Sequence, residues 1–268
     1  MPRDKVLLGV DVGFSKSRAS TGIAWYASGR FEAAAVKSDK EARLACLPSR
    51  FCADVAALDG PLVPQRSEGS SDSPRYAERF LSRGAFQRRC KPGFSHFGTG
   101  LELRKASHIA ASQVRNVVKA NGRLAKPFCA GTHSIVEAFP NAFLGVLLDE
   151  GVYAKSPKLK RGKKFDWLYE HAKENRALER VMLHVDFQPP GLLAAVQQEQ
   201  HHEKRAAYVC LITAACVAAN KITSIGDKDG GWIVLPPRAL WADWSINAFY
   251  DSERALAAEM FTRNKIAR

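Results

Sequence analysis

Asp11, Asp59 and Glu137 each close a short apolar run: Leu7-Leu8-Gly9-Val10-Asp11, Val55-Ala56-Ala57-Leu58-Asp59 and Ile135-Val136-Glu137. Gly13, Gly60 and Pro140 stop the three runs almost at once. Taken singly, each acid reads as a turn former or a cap. Taken together they call for more, because a carboxylate in a buried strand is costly unless it is paired or bound to a metal. Sites in open α/β sheets collect beyond the carboxyl ends of the strands. Acids gathered there would repel one another, and a divalent cation such as Mg²⁺ or Mn²⁺ is the simplest remedy. A fourth acid, Glu203 in His201-His202-Glu203-Lys204-Arg205, stands where the most apolar helical stretch begins, with His202 beside it. A solvated helix start explains that segment equally well, since Glu203 there also suits the helix dipole.

These acids need a sheet to hold them. Residues 5–12 form an apolar, β-branched run, and Thr21–Ala27 and 30–36 follow it across Gly13 and the Ser28-Gly29 turn signal. The spacing predicts an antiparallel meander of three strands. Ser38-Asp39-Lys40-Glu41 has capping-box spacing and predicts a helix from about residue 39. Strands are then expected at 55–59 and 133–138, and a last one at Trp232–Leu235. Helical patterning covers 101–120, 164–184, 197–219 and a C-terminal extension from about 238. Residues 60–100 are rich in Ser, Gly, Arg and Pro and read as a long loop insertion. The order predicts one mixed α/β domain over residues 1–268.

Charge names a class of partner. The chain carries 40 Lys and Arg against 27 Asp and Glu, a formal net charge of +13. Such an excess points to a polyanion, since nucleic-acid affinity rests largely on phosphate neutralisation. Candidate phosphate contacts are Arg88, Arg89 and Lys91 in the long loop, Arg104 in the basic helix, and Lys160, Arg161, Lys163 and Lys164. Phe165 and Trp167 adjoin the last group, where bases could stack. A solvated basic loop is the competing account of that segment. The six cysteines include no Cys-x-x-Cys pair, which argues against a zinc knuckle or a thioredoxin-type motif. No run is apolar enough for a membrane span or a signal peptide, so the expected location is cytoplasmic, away from membranes.

An ordered set of short motifs runs from residue 9 to 232: Gly9-Val10-Asp11-Val12-Gly13, Ala57-Leu58-Asp59-Gly60-Pro61-Leu62, Arg89-Cys90-Lys91-Pro92-Gly93 and Gly98-Thr99-Gly100-Leu101. Val136-Glu137-Ala138-Phe139-Pro140, His202-Glu203-Lys204-Arg205-Ala206-Ala207, Ile225-Gly226-Asp227 and Gly230-Gly231-Trp232 complete it. The set resembles domain-of-unknown-function family 429, the predicted RNase H-like nucleases. The resemblance implies an RNase H-like core: a five-stranded mixed sheet flanked by helices, whose first three strands are antiparallel. It also implies that Asp11, Asp59 and an acid on the last helix of the core approach one another to hold two Mg²⁺ or Mn²⁺ ions. Catalysis would fall to Asp11, Asp59, Glu137 and Glu203, with Asp11, Asp59 and Glu203 on the metal, in two-metal phosphodiester hydrolysis. One departure is visible. RNase H-like nucleases usually carry aspartate at the last helical position, where this chain has Glu203.

Two other readings stay open. Actin-like ATPases and sugar kinases share the core and begin with a strand, Gly-x-Asp-x-Gly and a hairpin. Asp11, Gly13 and Ser15 could serve such an ATP-binding phosphotransferase, and Asp227-Lys228-Asp229-Gly230-Gly231 faintly imitates its second phosphate loop. The other reading is a non-catalytic nucleic-acid-binding protein with a weakened RNase H-like site.

Overall fold

A computed structural model describes residues 5–15, 17–63, 74–90, 93–119, 123–124, 134–154 and 163–266. Lys91, Lys160 and Arg161, candidates from the sequence, lie outside the described residues. The strands are β1 (Leu7–Asp11), β2 (Thr21–Ala27), β3 (Arg30–Val36), β4 (Val55–Asp59), β5 (Arg123–Leu124), β6 (Ser134–Ala138), β7 (Thr223–Asp227) and β8 (Gly231–Leu235). The helices are α1 (Lys40–Ala45), α2 (Tyr76–Leu81), α3 (Gly84–Arg89), α4 (Gly98–Val114), α5 (Pro140–Gly145) and α6 (Glu150–Ala154). They continue with α7 (Lys164–Glu174), α8 (Ala177–His184), α9 (Leu192–Gln198), α10 (His202–Ala218) and α11 (Asp243–Ile266).

The expected α/β class holds. The sheet runs β3-β2-β1-β4-β6-β8-β7, with the short β5 paired to β6 off that line. It is therefore wider than the five strands that the resemblance implies, and the last strand expected from the pattern, at Trp232–Leu235, is β8. The β7–β8 hairpin adds an antiparallel unit at one edge, and β7 itself has too few apolar residues to announce itself in sequence. The meander is as expected: β2 pairs antiparallel with β1 and with β3. β1, β4, β6 and β8 are mutually parallel, so their carboxyl ends share one edge.

Several helices depart from the expected bounds for local reasons. Asp39, not Ser38, caps α1, its carboxylate accepting from the Ala42 N–H at 2.7 Å. The Ser38 hydroxyl instead bonds Ser20 and Thr21. The expected helix over 164–184 is broken at Arg176, whose φ of 54° starts α8 in a new direction. The stretch from 197 divides into α9 and α10 at the extended Glu199. Part of the long loop expected at 60–100 is helical, as α2 and α3 and the start of α4.

Alternation along the strands gives the sheet two dry faces. On one, Leu7, Val55, Ala57, Val136 and Ala138 pack with α10, the almost wholly buried helix, and with α5 and α7 to α9. On the other, Leu8, Val10, Ile23, Ala56, Leu58 and Ile135 pack against Ala110, Ala111 and Val114 of α4. Two glycines let α10 lie backbone to backbone on the meander. A Cβ at Gly9 would fall 2.4 Å from the Ala207 carbonyl oxygen, and one at Gly22 only 1.9 Å from that of Glu203. Gly22→Ala should therefore destabilise the fold by about 1–3 kcal/mol, the usual range for overpacking. Urea denaturation checks it, and an unchanged midpoint would mean that α10 slides away without cost.

Candidate metal centre

Asp11 ends β1 and Asp59 ends β4, and the parallel register sets them side by side. Both belong to the face that α10 covers, since they alternate in step with Leu7 and Gly9, and with Val55 and Ala57. Both are recessed but retain some exposure. The third acid arrives through the glycine contact. Gly22 pairs with Asp11 across β1 and β2, and the Glu203 carbonyl rests on Gly22. This places the first turn of α10 over the end of β1.

The electrostatics show how crowded the carboxylates are. Burial, then the charges of Asp59 and Glu203, push the Asp11 carboxyl well above the usual aspartate range. Burial, then Glu137, push Asp59 up to about 7. Each carboxyl therefore holds its proton to a higher pH than a solvated aspartate does. Among the described residues neither makes an ion pair with a cation. The other buried acids are treated differently. Asp54, at the start of β4, accepts from Lys119 Nζ at 2.8 Å and from the Val6 N–H at 2.8 Å, and its pKa is lowered. Glu78 and Glu137 share Arg75.

The structure sets Glu137 apart from the other candidates. It pairs with Leu58, not with Asp59, so it alternates onto the α4 face. There it is 3% exposed and takes a two-pronged bond from Arg75, Nη1 to Oε2 at 2.8 Å and Nη2 to Oε1 at 2.7 Å. Its influence on the aspartates passes through space, as the charge that raises Asp59.

His202 turns toward α7, where Nδ1 shares a hydrogen bond with Asp166 at 2.8 Å and the ring meets Phe165 edge-on. His201 Nδ1 stands 3.1 Å from a Glu203 oxygen. Among the described residues no three His, Cys, Asp or Glu side chains are gathered tightly enough to enclose a metal ion. The donor chemistry nevertheless fits a hard divalent cation at Asp11 and Asp59, two carboxylates that no cation among the described residues pairs. Glu203 would join them after leaving His201. Sequence reasoning missed Cys210, which lies against the pair. Its thiol is pushed far up by burial and by the charges of Asp59 and Asp11. The signal was present in the spacing, because Glu203, Ala207 and Cys210 share one helical face.

The candidate phosphate contacts divide by burial. Arg104 is 7% exposed and donates Nε to the Val63 carbonyl at 2.8 Å, which makes it a strut inside the fold. Arg89 is also largely enclosed, its guanidinium over the Tyr153 and Trp244 rings and paired with Glu150 at 2.7 Å. Arg88 and Lys163 are exposed. Lys164 bonds the Arg88 carbonyl and so joins two basic segments far apart in the chain. The turn that the phosphotransferase alternative would use is closed on itself, Asp227 accepting from the Asp229 N–H at 3.0 Å. No described helix is long and apolar enough to cross a membrane. No family of known proteins, no curated protein and no solved structure matches the chain.

Proposed function

We propose that the chain is an RNase H-like nuclease that hydrolyses phosphodiester bonds with Mg²⁺ or Mn²⁺, as its resemblance to domain-of-unknown-function family 429 implies. One observation carries the reading: Asp11 and Asp59 stand adjacent and, among the described residues, without a cation in a chain of net charge +13, while Asp54, Glu78 and Glu137 all have one. Asp11 and Asp59 would hold the metal, with Glu203 completing the set. Bound there, such ions would supply an activated water and neutralise charge on the phosphate oxygens. The chain's own contribution is to keep two carboxylates side by side on strands that cannot separate. Dry walls, Cys210 and Ala207 among them, keep the surroundings of low polarity and strengthen every charge interaction. Arg88, Lys163 and Lys164 would meet the nucleic-acid backbone away from the reacting phosphate.

The test is cleavage of labelled single-stranded and duplex DNA and RNA by purified protein with Mg²⁺, with Mn²⁺ and with chelator. Metal-dependent products are expected. Because a metal must displace the protons that these raised carboxyls retain, activity should climb as pH rises toward about 7, the region where Asp59 titrates. Thermal stabilisation by ATP without any cleavage would favour the phosphotransferase instead.

A further inference from the structure

Large apolar rings stand in water on the rim of this charged edge. Among the described residues Phe97 and Phe14 are exposed large hydrophobics, at 58% and 53%. Phe14 follows Asp11 closely, just past the carboxyl end of β1. The chain on either side of it is fixed: Arg43 donates to the Gly13 carbonyl at 3.3 Å, and the Ser15 N–H bonds Ser20 Oγ at 3.1 Å. The ring is left out of that order. The same lip of chain carries exposed Arg18 and Lys37, drawn together by the bond from the Ser38 N–H to the Ser15 carbonyl.

Phe97 belongs to a second set. Its ring centroid lies 4.6 Å from His96 and 6.2 Å from Phe94, and Phe94 lies 5.7 Å from His96. This segment is anchored to the same edge of the sheet. The Ser95 N–H bonds Glu78 at 3.2 Å, and Glu78 and Glu137 share Arg75. The helix that follows, α4, passes Gly60, the residue after Asp59, where Ser107 fills the space a Cβ would need. His96 Nδ1 is buried without a hydrogen-bond partner among the described residues.

A single exposed ring is ordinary. Here one set follows Asp11 and the other is tied to the chain beyond Asp59, in a strongly basic protein. Aromatic faces within a basic surface are what stacks successive bases while the backbone is neutralised. We propose that this edge takes an unpaired strand of nucleic acid, its bases stacking on Phe14 and on the Phe94–His96–Phe97 set. The proposal rests on the nuclease reading and names its substrate class. Bases inside a duplex are already stacked on one another, so these rings would find no free faces there.

Fluorescence anisotropy with labelled oligothymidylate, in chelator to prevent cleavage, tests it against the same strand annealed to oligoadenylate. Because both rings are exposed, Phe14→Ala and Phe97→Ala should fold normally, which melting curves verify. Wild type should bind the single strand more tightly than the duplex. Each alanine variant should lose roughly fivefold or more on the single strand and little on the duplex, while Phe14→Trp retains affinity. Alanine variants that bind oligothymidylate like wild type, or a wild type that prefers duplex, would overturn the stacking surface and leave the nuclease reading standing. Loss on the single strand in a protein with no metal-dependent cleavage would sustain the surface and remove the nuclease. No binding to either form removes both.

Discussion

Asp11→Asn should lose Mn²⁺ binding and metal-dependent cleavage outright, yet its metal-free form should melt at a higher temperature than wild type. Both effects have one cause. The substitution keeps the shape of a side chain held beside Asp59 in the register of β1 and β4, and removes the charge that burial and two neighbouring carboxylates oppose. The sign of the pH dependence follows. A carboxyl whose pKa is raised on folding holds its proton longer in the native state than in the unfolded chain. Native stability is then unaffected below the unfolded value, falls as pH climbs through the gap, and levels off above the folded value. For Asp59 the gap runs from its ordinary value of 3.8 to about 7. The metal-free wild type should thus lose a few kcal/mol across weakly acidic pH, and Asp11→Asn should lose less, because one of the repelling charges is gone. Melting curves at several pH values, with calorimetric Mn²⁺ titration of both proteins, check the two halves separately. Equal Mn²⁺ affinity in variant and wild type would take Asp11 out of the site.

A second large effect is expected on the sheet face opposite the aspartates. Arg75 is 7% exposed and donates to Glu137 twice, to Glu78 at 2.8 Å and to the Gly230 carbonyl at 3.1 Å. A single guanidinium thus joins the end of β6, the start of α2 and the turn before β8. Glu78 in turn holds the Ser95 N–H. Arg75→Met would leave two buried carboxylates, 1% and 3% exposed, without their shared cation. Breaking a buried pair in this way costs about 3–5 kcal/mol, a large part of the 5–15 kcal/mol that holds a typical domain together. The loss should shrink in mildly acidic buffer, where the stranded Glu137, whose carboxyl burial already raises, takes up a proton. It should also shrink when Glu137→Leu is added, because one of the stranded charges is then removed. Urea denaturation of the single and double variants measures both. A midpoint unchanged in Arg75→Met would mean that water reaches the cluster and Arg75 supports little.

The aspartate pair was legible because two apolar runs of equal length each end in an acid that glycine follows closely. Parallel pairing then makes them neighbours. Glu137 looked the same in sequence, but whether an acid joins its neighbours depends on strand register. Setting Leu58 opposite Glu137 sends Glu137 to the other face. Its true partner, Arg75, sits beside a serine-rich stretch that gave no sign of order, and only the folded sheet brings them together. The burial of Arg104 and Arg89 is hidden in sequence for a related reason. Charge counts surface and interior cations alike, and their burial follows from tertiary contacts with Val63 and Trp244. The meander, β4 and β6 were readable from β-branched runs between glycines and prolines. β7 was not, because an edge strand buried on few positions carries little apolar signal.

The most direct measurement is the anomalous difference map of a crystal soaked in Mn²⁺. The account predicts a peak within coordination distance of both Asp11 and Asp59, with the Glu203 carboxylate drawn away from His201 toward it. Mn²⁺ bound only elsewhere, with no peak beside the two aspartates, would contradict it.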